Sequence, residues 1–181
     1  AKAAKRMRMA FSRSRKALGN IVLFQGDQYQ FNEKYQIDVD AVEFKKLIEQ
    51  ARPLSWYQFQ KENLLKKALS LYAGVFLSKI ERTWAEQTRA ELAILYVGLL
   101  VDLGMCAEKR GSIDEAMLYF SRALTLDQFN EDIHRKYLRM LIRAGRFDSV
   151  VQHWQALCDL YHDELGISPS PETAQILDRI R

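Results

Sequence analysis

The sequence predicts a mostly α-helical protein, a solenoid of stacked helical repeats that is preceded by one helix and a β-hairpin. The pattern of small and aromatic residues over 103–123 recurs 34 positions later, over 137–157. The chain of 181 residues contains only three prolines and eight glycines, so its helices meet few interruptions. Its hydrophobic content of 48% is typical of a globular protein with a core.

The 34-residue period is the length of a tetratricopeptide unit, a helix–turn–helix that buries its apolar face by stacking on neighbouring units. Gly111 and Gly145 mark the turn inside each unit. The paired helices are predicted at 97–110 with 113–126 and at 131–144 with 147–163. Aromatic residues at helical spacing are expected in the core rather than stacked on a ligand. These are Trp84, Phe120 and Trp154.

The N-terminal segment differs from the repeats in pattern and charge. Residues 1–18 place apolar side chains loosely on one helical face and basic ones on the remainder, which predicts a helix that stops at Gly19. Two β-prone runs, 21–24 and 29–31, flank the turn residues 25–28 and predict a β-hairpin. A basic helix followed by a hairpin indicates the C-terminal part of a winged-helix DNA-binding domain, the recognition helix and wing. We assign it to residues 1–35.

Residues 36–181 are predicted to form the helical repeat domain. An amphipathic helix begins around Asp38–Asp40 and ends before Pro53. A second helix is predicted from Trp56 to Tyr72. A third starts at Trp84 and continues into the first repeat.

The C-terminal segment carries a stop signal and a new helix start. Gly166 and two prolines end the last repeat helix. Ser170 is expected to cap a short final helix, with Pro171 at its first position, where the missing N–H costs nothing. Ala174, Leu177 and Ile180 form the apolar side of that helix, which is expected to cover the last repeat.

The basic residues are concentrated at the N-terminus. Residues 1–20 contain no acid, and their seven cations exceed the net charge of +4 of the whole chain, so the rest of the chain is net acidic. A localised excess of this kind indicates a polyanion partner better than a uniform basic balance would. The alternative interpretation is a solvated helix face. The predicted DNA-binding residues are Lys2, Lys5, Arg6, Arg8, Arg13, Arg15 and Lys16.

Within this set the expected roles differ along the helix. Lys2, Lys5 and Arg6 are expected to approach bases and phosphates. The later cations, from Arg13 to Lys16, are expected either to contact phosphates or to pair with acids on neighbouring elements. Neutralising phosphates releases counterions, so the affinity should fall steeply with salt.

The lack of a recognisable targeting signal in the sequence and the use of cysteine predict a cytoplasmic protein. No uninterrupted apolar run approaches the ~20 residues of a membrane span, and no apolar region with a cleavage site follows the N-terminal cations. Cys106 and Cys158 lie in apolar helical stretches and are expected to be buried free thiols. Because the chain begins with Ala1 rather than Met, we expect it to be a fragment or a processed chain.

The sequence offers little for catalysis. It contains no nucleophile–base–orienter set, no glycine-rich phosphate loop and no HExxH motif, so we predict no enzyme and no cofactor. His153, Cys158 and His162 share one predicted helix, but their spacing matches no zinc pattern, and we assign no metal site. The acids Asp114 and Glu115 are explained by the dipole at a helix start.

Several of these segments resemble a known family. The stretch 162–173, HDELGISPSPET, is similar to the ELGxxPSPET ending of the bacterial transcriptional activator domain, found in regulators of the Streptomyces antibiotic regulatory protein type. Residues 130–146 resemble its second-repeat helix and AGR turn. Residues 72–77 with Trp84 and Arg89 resemble its Y-x-G-x-F/L…W region.

The resemblance extends to the N-terminus. Residues 12–19, SRSRKALG, are similar to the SRLRKALG end of the recognition helix in winged helices of the response-regulator type, and residues 29–31 correspond to the wing. The resemblance implies a transcription activator in which the winged helix holds double-stranded promoter DNA. The repeat domain would mediate self-association, for example as a homodimer, or contacts with RNA polymerase or a regulatory partner. The alternative is a tetratricopeptide adaptor that binds a peptide or another domain and has no DNA role.

Overall fold

A computed structural model of the chain describes residues 2–25 and 28–177; the side chains of residues 2–5, Ser14 and Leu18 are outside that description. The chain divides into two compact units, Ala1–Val39 and Asp40–Arg181. Most of the described residues are helical, which confirms the predicted fold class. The predicted turn residues Gly26 and Asp27 and the C-terminal Ile180 fall outside the described residues.

The first unit consists of a helix and a two-stranded hairpin. Helix α1 spans Lys2–Leu18, and strands β1, Val22–Gln25, and β2, Gln28–Phe31, pair antiparallel. The helix ends at Gly19, whose φ of 72° is the left-handed conformation that closes many helices. The strand bounds agree with the predicted runs to within a residue.

The second unit is built from seven described helices. In chain order they are α2 Asp40–Ala51, α3 Phe59–Leu71, α4 Thr83–Lys109, α5 Ile113–Leu126, α6 Glu131–Arg143, α7 Phe147–Leu165 and α8 Pro171–Ala174. Consecutive helices pack on one another from α2 to α7, as expected for stacked helical pairs. Helix α3 begins at Phe59 rather than at Trp56, so Trp56 lies in the preceding loop.

The core is built around α4, the longest helix. It contacts α2, α3 and α5 and buries eight of its residues. Gly104 on α4 lies directly against the ring of the fully buried Phe120 on α5, leaving no room for a side chain. The predicted turns at Gly111 and Gly145 are confirmed, with φ of 85° and 69°.

Two aromatic predictions fail in the second unit. Trp84 is 56% exposed because it lies in the first turn of α4, where the neighbouring Ala85 and not the indole faces the core. Trp154 is half-buried, whereas Phe120 is in the core as predicted. Helical spacing predicts which residues share one side of a helix. It does not predict how far along that helix the neighbouring helices extend to bury them.

Ser170 is the N-cap residue of α8 and Pro171 lies at the helix start, as predicted, but the bond expected from the Ser170 side chain is not the one that forms. Its side chain makes no capping bond to α8; its backbone N–H donates to the carboxylate of Glu131 on α6 at 3.0 Å, and its hydroxyl donates to the same group at 2.5 Å. Thr173, which is fully buried, donates its hydroxyl to that carboxylate as well. Hydrogen bonds to a charged acceptor are stronger than those between neutral groups, so Ser170 and Thr173 together tie α8 to α6.

Helix α4 is, by length and composition, the one described helix that could cross a membrane. Glu91 and Glu108 bound its apolar stretch, which Asp102 interrupts, so no uninterrupted apolar run reaches the ~20 residues of a span. Part of this apolar surface is buried in the core against three other helices.

Candidate functional site

The predicted DNA-binding residues all belong to α1. Its 17 residues contain no acid. Lys2 and Lys5 lie in its first turns, with side chains outside the described part of the chain. The other five predicted cations, Arg6, Arg8, Arg13, Arg15 and Lys16, are all exposed. Within the described residues of the first unit, none of these five side chains is in an ion pair.

The hairpin determines which side of α1 faces water. The ring of Phe11 stacks on Tyr29 with centroids 4.1 Å apart, and Phe24 packs against the same tyrosine at 4.8 Å. With 3.6 residues per turn, Arg6, Arg13 and Lys16 then lie on the side of the helix away from Phe11. This places a set of free cations on one solvent-facing surface.

The second unit contains a groove of about 950 Å³, which we call the α4 groove. Its floor is the stretch of α4 from Ala93 to Asp102. One wall comes from α2, α3 and the loop between them, and the other from the α5–α6 connection. The floor is apolar but uncovered at its centre, since Ile94 is 73% exposed and a Cβ on Gly98 would meet no atom within 4 Å.

A polar cluster fixes one edge of this groove. The indole Nε1 of Trp56 donates to Asp102 Oδ1 at 2.9 Å, and Lys61 Nζ pairs with the other oxygen of that carboxylate at 3.1 Å. The same ammonium donates to the carbonyl of Ala51 at 3.2 Å and lies 5.9 Å from the Trp56 ring. Trp56 is therefore held in place although 41% of it is exposed.

The opposite wall carries a carboxylate at the end of α5. Asp127 is the C-cap residue of that helix, where the partial charge of the helix is negative. Its Oδ2 accepts a bond from Asn130 Nδ2 at 2.9 Å, and within the described part of the chain it has no ion-pair partner. The nearby Asp132, by contrast, pairs with Lys136 and Arg135.

Sequence reasoning did not single out Trp56, Asp102 or Asp127. Asp102 did leave a signal, since it is the only charged residue between Leu92 and Ala107 on an otherwise apolar helix. A lone charge in such a stretch needs a partner, but the partners lie 41 and 46 positions away and only the packing of α3 on α4 reveals them.

The histidines are arranged differently from the weak metal pattern in the sequence. His153 lies beside His134 on α6, with Nε2 and Nδ1 2.9 Å apart, while His162 is exposed. His134 Nε2 is 2.9 Å from the carbonyl of Gln128 and donates to it. Burial lowers the pKa of His153 to about 4 and also lowers the pKa of His134, so both rings are neutral. Among the described residues, no group of three or more metal-binding side chains is present.

The two cysteines are free thiols, as predicted, but only Cys106 is buried; Cys158 is half-buried. Burial raises the pKa of Cys106 to about 11 and raises that of Cys158 as well. Both thiols are thus protonated at neutral pH and are poor nucleophiles.

Helices that pack in sequence order from α2 to α7 define a helical-repeat domain. Residues 39–181 match the family model of the bacterial transcriptional activator domain. The chain belongs to this family, whose members are regulatory domains of transcription activators and not enzymes. No curated protein matches the chain.

Proposed function

We propose that this chain is the regulatory part of a transcription activator in which α1 contacts double-stranded DNA and the helical domain contacts protein. The observation that carries the DNA role is the set of exposed, unpaired cations on a helix without acids. The helix–hairpin arrangement supports an origin in a winged helix. The matched family supports transcription activation as the process.

The electrostatics of α1 favour a phosphate backbone as its ligand. Each cation that neutralises a phosphate contributes a slope of about −0.9 in log affinity against log salt. Arg6, Arg13 and Lys16 share the side of the helix away from the hairpin, so all three can face one duplex together. The stack of Phe11 on Tyr29 holds the helix so that these cations need little reorganisation.

The helical domain supplies the second contact. We propose RNA polymerase, a regulatory protein or a second copy in a homodimer as its partner, reached while α1 holds the protein on DNA. Tethering raises the effective concentration of a weak contact into the millimolar range. Two copies on DNA would also read repeated half-sites. Such a protein works in the cytoplasm, where the two free thiols stay reduced.

The DNA role is tested by fluorescence anisotropy of a labelled duplex at several salt concentrations. The triple variant Arg6→Ala, Arg13→Ala, Lys16→Ala should bind more weakly, and its salt slope should be shallower by up to about 3. A variant with the same charge change on exposed residues of the second unit should bind like the parent chain. It carries alanine at Lys67, Lys79 and Arg82.

A shortened chain that starts at Gln36 distinguishes the DNA-binding activator from the adaptor without a DNA role. Loss of salt-dependent binding in this version supports the DNA role of residues 1–35. Equal binding by the triple variant, its control and the parent would contradict the assignment to α1. The alternative function, an adaptor without a DNA role, is favoured by the α4 groove and would then be the better description.

A further inference from the structure

The α4 groove has the dimensions and lining of a docking site for another helix. Its floor, from Ala93 to Asp102, spans about 14 Å along α4, which is between two and three turns of a second helix lying alongside. The centre of the floor is open above Gly98, and Ile94 beside it is largely exposed. An apolar helix surface left uncovered in this way is typical of a protein contact.

The chemistry of the lining favours a helix over an extended peptide. An extended segment would bring unpaired backbone N–H and C=O groups against an apolar floor. On the floor Asp102 already holds Lys61 and Trp56, and the less engaged polar groups, Asp127 and Arg52, lie on the walls to either side of it. A helix satisfies its own backbone and needs only apolar side chains to enter the groove.

The charges on the two walls determine which charge each flank of the occupant can carry. On one side Asp127 adds a full negative charge to the C-terminal end of α5, and no cation among the described residues balances it. On the other side the cation of Arg52 pairs with Glu49 at 2.9 Å, but both side chains are more than half exposed, so this pair is weak. A basic group is therefore favoured at Asp127 and an acidic one at Arg52.

Trp56 supplies an anchor of the kind found at the centre of protein interfaces. It is exposed at the groove edge, yet its indole is fixed by Asp102 and by the ammonium of Lys61. Because the ring is already ordered, a partner that stacks on it loses little side-chain entropy. Tryptophan is among the residues that most often dominate binding energy.

From these observations we propose that the α4 groove binds an amphipathic helix of a partner protein. Its apolar stripe lies along Ile94, Gly98 and Val101 and contacts Trp56, and it carries a basic side chain opposite Asp127. The proposal rests on the protein-contact role of the helical domain proposed above and names the chemistry of the partner. It does not depend on the DNA role of α1.

The test uses the full chain and three fluorescein-labelled peptides of equal length. The first has leucines at helical i, i+3, i+4 and i+7 positions, lysines along the flank meant for Asp127 and glutamates along the other flank. The second replaces those lysines by glutamates, because merely exchanging the two charge sets would leave a helix that can bind in the reverse direction with the same contacts. The third has the composition of the first with the stripe scrambled. Anisotropy should show tightest binding for the first peptide and at least about tenfold weaker binding for the third, because scrambling removes the apolar anchors.

Variants of the chain identify the site. Gly98→Leu fills the open floor and should weaken the first peptide at least about tenfold, because the stripe can no longer reach α4. Ala90→Leu places the same leucine side chain at an exposed position of α4 outside the groove and should leave binding unchanged. Asp127→Lys should reverse the preference, so that the second peptide binds more tightly than the first.

Three results would overturn the proposal: no binding of any peptide, equal binding of the first and third, or insensitivity to Gly98→Leu with the helical circular dichroism intact. Sedimentation supplies a fourth. If the parent chain dimerises and Gly98→Leu makes it monomeric, the occupant is a second copy. DNA binding by Gly98→Leu should equal that of the parent chain. Failure of the peptide-binding proposal is therefore distinguishable from failure of the proposed DNA role.

Discussion

Replacing Gly104 by alanine measures how closely α4 and α5 pack. A Cβ on Gly104 would lie 2.4 Å from Cε1 of Phe120 and 2.8 Å from two further ring atoms. Carbon atoms in ordinary contact are about 3.5–4.0 Å apart. Since Phe120 is completely buried, its ring has to move by about 1 Å against close-packed neighbours. Overpacking of this kind costs about 1–3 kcal/mol of the free energy of unfolding.

Gly98 on the same helix provides the matched control. Exchanging glycine for alanine inside a helix stabilises it by about 0.5–1 kcal/mol, and this gain applies at both positions. At Gly98 no atom opposes the new methyl group, so Gly98→Ala should show the gain alone. The difference between the two variants therefore isolates the packing cost at Gly104, about 1–3 kcal/mol.

Urea denaturation followed by far-ultraviolet circular dichroism gives both values. The midpoint should rise for Gly98→Ala and fall for Gly104→Ala, with the slope m unchanged. In a Phe120→Leu background the cost of Gly104→Ala should shrink, because the two residues are in contact and their effects do not add. Equal stability of the two alanine variants would refute the close approach of α4 and α5 at this point.

Two further predictions concern pH. Burial lowers the pKa of His134 and lowers that of His153 to about 4 in the folded chain, whereas unfolded histidines titrate near 6.5. The free energy of unfolding should therefore decrease as the pH is lowered from 6.5 to about 4. This change should amount to at most about 3 kcal/mol, and most of it should be absent in thermal melts of His153→Gln. A pH profile that the substitution leaves unchanged would exclude the histidine pair as its source. Burial alone would raise the pKa of Glu131, but hydrogen bonds from Ser170 and Thr173 lower it. The stabilisation from Glu131 is therefore present above its usual pKa of 4.5 and is lost as the pH falls below that value. Glu131→Gln should cost about 2 kcal/mol at pH 7 in urea titrations while the largely exposed Glu172→Gln costs little; equal effects would contradict the tie between α8 and α6.

The functional assignments of the two units rest on different observations. The family match begins at residue 39, and the structural units divide after Val39, so the two agree on where the helical domain starts. The preceding basic helix and hairpin lie outside the matched region. Their proposed role rests on charge, exposure and the stack of Phe11 on Tyr29.

Much of the secondary structure could be predicted because it depends on neighbours along the chain. Helix turns at Gly111 and Gly145 require a left-handed conformation that glycine adopts without strain, and both were found where the sequence places them. The hairpin follows from two β-prone runs around a short turn. Errors appeared where a distant residue intervened, as at Ser170, whose hydroxyl bonds to a carboxylate 39 positions away.

By itself the sequence determined the helical class, the repeat, the N-terminal concentration of charge and the resemblance to a family, since these depend on periodicity, composition and local propensity. The tertiary structure alone decided which of these features face one another. It exposed Trp84, paired His134 with His153, and left α4 open between two walls with Trp56 fixed at one edge. The physical reason is that burial and ion pairing depend on side chains from separate helices meeting in space, and a pattern along one chain carries no record of that distance.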